Sequence, residues 1–169
     1  TNEVKNMSNV DVDVTKFHIP RWNELPNIDL YMDQVLNYIE SCLKDYIKSD
    51  EKFITKTMIN NYVKQEILGP PINKKYNRLH IAELFVICIL KQVYSISEIK
   101  SLIALALKTN SAENSYNKFC DYLTDSLIST FNGTEYSTSS NFTPEQYLLK
   151  NVVQSFANKL YAQIVYLNK

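Results

Sequence analysis

Glycine is nearly absent from this chain: only Gly69 and Gly133 occur among its 169 residues. A phosphate-binding loop needs several glycines close together, so this scarcity excludes a Gly-rich nucleotide-binding motif. The sequence also lacks the HExxH, CxxC and GxSxG patterns, and its carboxylates are scattered and not gathered in an apolar setting. These absences predict that the protein is not an enzyme and that it has no cofactor.

Cysteine and long apolar runs are scarce as well. Cys42, Cys88 and Cys120 are far apart and lie within apolar helical patterns, which predicts buried, reduced thiols and no metal site. No apolar run approaches the roughly 18 to 20 residues that a bilayer span needs. Residues 1–14 are polar and acidic and resemble neither a signal peptide nor an anchor. We therefore expect a cytoplasmic protein that does not insert into a membrane.

The charges cancel overall but are unevenly distributed. The net charge is zero, and arginine occurs only at Arg21 and Arg78. Residues 1–51 contain five Lys/Arg and ten Asp/Glu, a balance of −5, whereas residues 52–100 contain eight and three, a balance of +5. A zero net charge argues against a nucleic-acid-binding protein, but the local excess has the sign that phosphate contacts require. The basic block is therefore the first place to look for such contacts.

The composition and the spacing of apolar residues predict a mostly helical globular protein. Hydrophobic residues make up 45% and charged residues 21% of the chain, which is ordinary for a folded domain. Residues 1–15 are expected to form a flexible leader, and the apolar residues around Trp22 are expected to dock as an extended segment. Helices are predicted at 29–47, with Asp29 as the N-cap, at 55–66, at 79–93, from Ser95 or Ser97 onwards, at 112–131 and at 143–167.

The predicted helix at residues 55–66 has two different faces. One face is apolar, with Ile59, Val63 and Ile67 along it and Met58 and Tyr62 beside it. The opposite, polar face carries Lys56, Thr57, Asn60, Asn61 and Lys64. An asparagine amide both donates and accepts hydrogen bonds, which is the pattern that reads adenine in the major groove, while lysine and threonine can hold nearby phosphates. In an asparagine-rich sequence, however, a solvent-facing Asn-Asn pair needs no function.

A basic loop follows this helix and leads to a resemblance. Leu68-Gly69-Pro70-Pro71 ends the helix, and "INKKYNR" then predicts a turn-rich loop or a short two-stranded wing. Residues 54–103 resemble the N-terminal winged helix-turn-helix of MerR-type transcription regulators. The resemblance rests on a tyrosine at the end of the helix, a Leu-x-Pro motif, a tyrosine and an arginine in the wing, and a Ser-x-x-Glu-Ile helix, here Tyr62, Leu68, Pro70, Tyr76, Arg78, Ser95, Glu98 and Ile99.

"RWNELPNIDLYMDQV" together with this block also resembles an uncharacterised bacterial family, the YkrK-like proteins of unknown function. The two resemblances imply an all-α fold with a MerR-like winged helix-turn-helix core at residues 16–110. Helices at residues 111–169 would add core packing or a dimer seam. The implied partners are double-stranded DNA and a second copy of the chain. The alternative is a protein-interaction module that keeps the winged-helix scaffold without binding DNA.

The hypothesis of a DNA-binding transcription regulator names its contact residues and leaves its effector unknown. Six tyrosines of the C-terminal half could line an effector pocket, although ordinary packing is the simpler explanation: Tyr116, Tyr122, Tyr136, Tyr147, Tyr161 and Tyr166. The predicted DNA-binding residues are Lys56, Thr57, Asn60, Asn61 and Lys64 on the helix, with Lys74, Lys75, Tyr76 and Arg78 in the wing.

Overall fold

The computed structural model describes residues 13–134 and 141–167. Over these residues the chain is mostly helical, as the apolar periodicity predicts, and none of the described helices is long and apolar enough to span a membrane. A small sheet contains the strands β1 (Leu30–Tyr31) and β2 (Lys75–Tyr76). The α-helices are α1 (Met32–Leu43), α2 (Lys56–Lys64), α3 (Arg78–Leu90), α4 (Ile96–Thr109), α5 (Ala112–Asn132) and α6 (Pro144–Ala162).

The segment before α1 docks on the helices through its apolar side chains, as predicted, but it is not extended throughout, because Val14–Lys16 and Trp22–Glu24 each form a short 3₁₀ helix. The Trp22 side chain is half-buried, and its ring centroid lies 6.3 Å from that of Tyr116 in an edge-to-face contact. The hydroxyl of Tyr116 donates a hydrogen bond to the backbone carbonyl of Pro20 at 2.6 Å. Residues 1–12 of the predicted leader lie outside the described residues. The buried apolar side chains of the segment are Val14, Phe17, Ile19 and Leu25.

Helix α1 begins at Met32, later than the predicted N-cap Asp29. The two residues before it belong to β1, and their backbone groups pair with β2, so they cannot also begin a helix. The N–H of Tyr31 donates to Oε1 of Gln34 at 2.9 Å and closes the first turn. The helix ends at Leu43, four residues before the predicted end, and continues as a turn.

Helix α2 begins where its capping residue predicts. Oγ1 of Thr55 accepts a hydrogen bond from the N–H of Met58 at 3.2 Å. The helix ends at Lys64 because Glu66 takes a left-handed backbone conformation, with φ of 58°. The N–H groups of the next two residues turn back and donate to the carbonyl of Tyr62, which closes the end of the helix as a left-handed C-terminal turn does.

The basic loop after α2 forms a tight hairpin. Two backbone hydrogen bonds of 2.9 and 3.0 Å join Ile72 to Lys75. The two residues between them, Asn73 and Lys74, have φ angles of 51° and 63°, as a two-residue turn with two left-handed positions requires. The outgoing strand β2 then pairs with β1 in antiparallel register. The short wing expected from the sequence is therefore a hairpin whose second strand extends β1.

Helix α3 is the central buried helix, as its apolar composition predicts. It begins after Asn77, whose side chain accepts a hydrogen bond from the N–H of His80 at 3.1 Å. The His80 ring is buried: Nδ1 accepts from the N–H of Asn77 at 2.9 Å, and Nε2 donates to the carbonyl of Pro70 at 3.0 Å. This histidine therefore holds the hairpin against α3. The fully buried apolar side chains of the helix are Ile81, Leu84, Phe85, Ile87, Cys88 and Ile89.

The last two helices, α5 and α6, pack against each other and against α3. Helix α6 begins at the predicted cap, where Oγ1 of Thr143 accepts from the N–H of Gln146 at 3.2 Å. The middle of the apolar stripe on α6 belongs to the core of this chain, with Val153, Phe156 and Leu160 buried. The end of the stripe differs, because Leu167 is 65% exposed.

Candidate functional site

The two faces of α2 lie as the residue spacing predicts. Ile59 is 0% and Tyr62 is 4% exposed, so these side chains anchor the helix on the core. Met58 and Val63 are half-buried beside them. An exposed row of donors and acceptors therefore covers the opposite face. Its members, which we call the α2 polar face, are Lys56, Thr57, Asn60, Asn61 and Lys64.

A lysine of the α3–α4 connection fixes the orientation of α2. Nζ of Lys91 donates to the hydroxyl of Tyr62 at 3.0 Å and to the carbonyl of Phe53 at 3.4 Å. The same ammonium lies 5.8 Å from the centroid of the Tyr62 ring. Burial raises the pKa of the Tyr62 phenol, so the phenol stays neutral. These contacts tie the buried face of α2 to the end of α3 and leave the α2 polar face free of intramolecular packing.

Acidic side chains interrupt the positive charge around α2. Nζ of Lys56 lies 2.9 Å from a carboxylate oxygen of Asp33 on α1, and both side chains are well exposed. Nζ of Lys100 lies 3.9 Å from a carboxylate oxygen of Glu66. Lys64 forms no ion pair with any residue in the described parts of the chain. The positive potential of this surface therefore depends more on Lys64 than on Lys56 or Lys100, whose charges are paired with carboxylates.

The hairpin presents one lysine to solvent and holds a second one over an aromatic ring. Lys74 at the tip is exposed. Lys75 is half-buried, and its Nζ lies 4.9 Å from the centroid of the Tyr31 ring, close enough for a cation–π interaction. The tip of the hairpin therefore carries one exposed positive charge, at Lys74.

Two predicted contact residues have structural roles instead. Tyr76 is 2% exposed, and its ring packs edge-to-face against His80 with centroids 5.4 Å apart. Arg78 is half-buried, its Nε is enclosed by protein, and its Nη2 donates to the carbonyl of Leu25 at 3.4 Å. The sequence assigned both to an exposed loop, but strand pairing turns Tyr76 inward and the docked N-terminal segment covers Arg78. Neither is therefore retained as a contact residue.

An apolar cavity of about 370 Å³ lies between α3, α4, α5 and α6, and the sequence did not indicate it. Its wall includes Val86 of α3, Ile103 of α4, Phe119 of α5 and Leu149 of α6. We call it the four-helix pocket. Each helix contributes an apolar stripe, and the stripes read from the sequence as ordinary core faces. Only their relative positions leave a space between them.

The four-helix pocket contains one half-buried carboxylate, Glu83 of α3. Burial raises the pKa of Glu83 to about 7, because an apolar surrounding disfavours the charged form. No side chain of the described residues forms a hydrogen bond or an ion pair with this carboxylate. The sequence signal is a single charge in the otherwise apolar run "LHIAELFVICIL", whose composition by itself indicates only a buried helix.

The tyrosines and cysteines contribute little to either surface. Of the six tyrosines considered for an effector pocket, Tyr116 lines the four-helix pocket, and Tyr136 lies outside the described residues. Cys88 and Cys120 are buried free thiols, and burial raises their pKa to about 12 and about 11. Residues 13–134 and 141–167 contain no cluster of three or more His, Cys, Asp or Glu side chains that could hold a metal ion.

Comparison with known proteins gives one match. Residues 20–123 match a family model described as "Domain of unknown function (DUF1836)". The match extends from the docked N-terminal segment through the middle of α5, so it includes both the α2 polar face and most of the four-helix pocket. No curated protein and no solved structure matches the chain.

Proposed function

This chain belongs to the DUF1836 family, a domain of unknown function, and we propose that it is a sequence-specific DNA-binding transcription regulator that acts as a homodimer. The observation that carries the proposal is the α2 polar face. Asn60 and Asn61 are exposed next to each other in a helix interior, where asparagine costs some helix stability. Exposed amides in such a position favour base recognition in the major groove.

The order of the elements supports a MerR-like winged-helix reading of residues 16–110. A strand precedes α1, α2 follows, and a hairpin then returns to pair with that first strand. In this order a short helix with an exposed polar face is followed by a hairpin with an exposed Lys74 at its tip, which is the order of a recognition helix and its wing. One difference is the connection between α1 and α2, which runs from residue 44 to residue 55 and is longer than a tight helix-turn-helix turn.

The proposed contacts divide into base readers and phosphate contacts. Thr57, Asn60, Asn61 and Lys64 would face the base edges of the major groove, because they form the exposed row on α2. The phosphate contacts would be Lys56, Lys74 and Lys75 at the two ends of this surface. Lys56 first has to leave Asp33, which costs little because an exposed ion pair contributes at most about 1 kcal/mol.

A homodimer is part of the proposal because α2 is short. It contains nine residues from Lys56 to Lys64, and one such helix buries too little surface for tight and selective binding. Two copies related by a two-fold axis would read two half-sites about one helical turn apart. The exposed side chains of Tyr166 and Leu167, just beyond the end of α6, offer apolar surface for such an association.

The test is binding of the purified protein to the DNA upstream of its own gene and to unrelated DNA of equal length, over a salt series. Asn60→Ala/Asn61→Ala is compared with the wild type. We expect the wild type to prefer its own upstream DNA, and we expect the double variant to lose that preference, by roughly tenfold or more, while keeping the salt dependence. The reason is that a bidentate amide contact contributes about 1–3 kcal/mol of discrimination, whereas phosphate contacts set the salt slope.

The matched control is Asn114→Ala/Asn132→Ala, which removes two exposed asparagines of α5. It should bind DNA as the wild type does. Equal binding of both DNAs by the wild type, or equal loss of binding in the two double variants, would contradict sequence reading by α2. Absence of binding to either DNA at low salt, where phosphate attraction is least screened, would remove the DNA-binding proposal altogether.

A protein-interaction module is the second candidate, and one observation favours it. Of the nine predicted contact residues, Lys56 is paired with Asp33, Arg78 is turned towards Leu25, and Tyr76 is buried. A surface with mixed charges and exposed amides also suits a polar protein partner. Copurification of a partner that Asn60→Ala/Asn61→Ala releases, together with an absence of DNA binding at low salt, would establish this alternative.

A further inference from the structure

The four-helix pocket has the size and character of a small-molecule site. Its volume of about 370 Å³ falls within the range of roughly 300–1,000 Å³ that is typical of ligand pockets. Several apolar side chains of its wall remain open to solvent, with Leu79 40%, Leu105 37%, Leu107 43% and Leu148 39% exposed. Apolar surface left exposed around a concave pocket is costly, and an apolar ligand would cover it.

The charged side chains that face the pocket favour a ligand of one charge. Three formally charged side chains line it: Glu83 from α3, Lys118 from α5 and Glu145 from α6. Lys118 forms no ion pair with either carboxylate in the described parts of the chain, so its Nζ lies more than 4 Å from the carboxylate oxygens of both. Helix α4 contributes no charged side chain to the wall. The two carboxylates against one ammonium leave a balance of −1.

Glu83 differs from Glu145 in its surroundings. Glu145 lies in the first turn of α6 and is exposed, so water satisfies it. Glu83 is half-buried among apolar side chains and, within the parts of the chain that the structure describes, has no hydrogen-bond or ion-pair partner. A carboxylate with apolar neighbours lacks hydrogen bonds that a bound cation could supply. The polar end of a ligand would therefore sit at Glu83 and its apolar body against α4 and α6.

We propose that the four-helix pocket binds a small apolar cation, an alkyl or arylalkyl amine whose ammonium group pairs with the Glu83 carboxylate. The apolar body of such an amine contacts the leucines of the wall, and the ammonium gives Glu83 the partner that the protein does not provide. An acid of the same shape would meet repulsion from Glu83. This site is independent of DNA binding, so the proposal stands or fails apart from the proposed function.

The experiment uses three probes that share one apolar body and differ in charge: phenylbutylamine, phenylbutanol and phenylbutyrate. Their affinities for the whole protein are measured by isothermal titration calorimetry at pH 8, where Glu83 is mostly ionised. We expect the amine to bind about 10 to 100 times more tightly than the alcohol, because a charge-assisted hydrogen bond in an apolar setting contributes a binding free energy of that size. The acid should bind more weakly than the alcohol.

Protonation gives a second readout that simple apolar binding would not give. The amine requires an ionised Glu83, so its affinity should fall roughly tenfold from pH 8 to pH 6. At pH 7 its binding should release roughly half a proton, seen as a dependence of the measured enthalpy on the ionisation enthalpy of the buffer. Binding of the uncharged alcohol should show neither effect.

The variant Glu83→Gln keeps the shape of the side chain and removes its charge. It should bind the amine and the alcohol equally and release no proton, whereas the control Glu40→Gln, an exposed carboxylate of α1 outside the pocket, should behave as the wild type does. Because the substitution at Glu83 is nearly isosteric, circular dichroism should report an unchanged fold. Equal binding of the three probes by the wild type, tightest binding of the acid through Lys118, no binding at all, or an unchanged amine preference in Glu83→Gln would each overturn the proposal.

Discussion

The α2 polar face and the four-helix pocket differ in shape and in how far water reaches their polar groups. The first is an exposed row of two amides, a hydroxyl and two ammonium groups, of which one, Lys56, is paired with Asp33. The second is a concave apolar wall around one unpaired, half-buried carboxylate. An exposed row can contact a large polar surface such as DNA, whereas an enclosed carboxylate can select only a small molecule.

The difference teaches that the energetic value of one charge depends on its surroundings. Lys56 and Asp33 meet at 2.9 Å in water, where their attraction is weak. Glu83 has no partner among the described residues, and burial in an apolar wall raises its pKa to about 7. Both surfaces rest on the same central helix, because α3 anchors α2 through Lys91 and forms one wall of the pocket.

The largest loss of stability should come from a substitution in the core of α3, the helix that both surfaces share. Phe85 is fully buried in α3, and its ring lies edge-to-face against Tyr38 at 5.9 Å. Phe85→Ala should lower the free energy of unfolding by about 3–5 kcal/mol, because it removes apolar contacts and leaves a cavity. Urea unfolding followed by circular dichroism measures this loss. Leu105→Ala, at a 37% exposed position, should cost clearly less; equal losses would mean that α3 is not the common support.

A smaller effect should come from the ionisation of Glu83. Burial raises its pKa from the usual glutamate value of 4.5 to about 7, so the folded state binds the proton more tightly than the unfolded state. This contribution to stability is fully present below about pH 4.5 and is lost as the pH rises through 7. After a discount for partial exposure, we expect the wild type to lose about 1–2 kcal/mol relative to Glu83→Gln over this range.

Thermal unfolding at several pH values measures that difference. Glu40→Gln, which changes an exposed carboxylate, should follow the wild type. A difference between wild type and Glu83→Gln that stays constant from pH 4.5 to 8 would contradict the raised pKa. A saturating amine should reduce the loss above pH 7, since it binds only the ionised form.

A still smaller effect should come from the helix cap of α2. Thr55→Ala removes the acceptor for the N–H of Met58 and should lower the free energy of unfolding by about 1 kcal/mol. Thr57→Ala, at an exposed position two residues after the cap, should cost less than about 0.5 kcal/mol. Denaturant titration compares the two. A reversed order would show that the cap does not support the α2 polar face.

The smallest effect on stability should come from the exposed ion pair. Asp33→Asn removes the partner of Lys56 and should change the free energy of unfolding by less than about 0.5 kcal/mol. If the proposed function holds, Lys56 no longer has to leave Asp33, so non-specific DNA affinity should rise by roughly two- to fivefold while the dependence of log affinity on log salt stays the same, because the number of phosphate contacts does not change. Binding across a salt series measures the affinity and the slope, and Glu40→Gln is the control. An unchanged affinity would contradict a phosphate contact by Lys56.

The sequence predicted the helices better than their ends. Thr55 and Thr143 cap α2 and α6 as expected, because capping depends on residues three positions apart. The start of α1 was misplaced at Asp29, since the pairing of β1 with β2 joins residues about 45 positions apart. Such pairing leaves no mark in the local pattern.

The candidate sites divide in the same way. The exposure of Asn60 and Asn61 follows from their spacing relative to Ile59 along one helix. The inward positions of Tyr76 and Arg78 depend on contacts with β1 and with the N-terminal segment, which are distant in sequence. Their misassignment came from reading the loop without those partners.

The sequence by itself determined the mostly helical fold, the central place of α3 and the two faces of α2, because each follows from the periodicity of neighbouring residues. The tertiary structure alone decided which basic residues remain available and where the apolar stripes leave a cavity. The physical reason is distance along the chain: a helix face is set by residues three and four positions apart, whereas the surroundings of Glu83 are set by four helices that meet only in the folded protein.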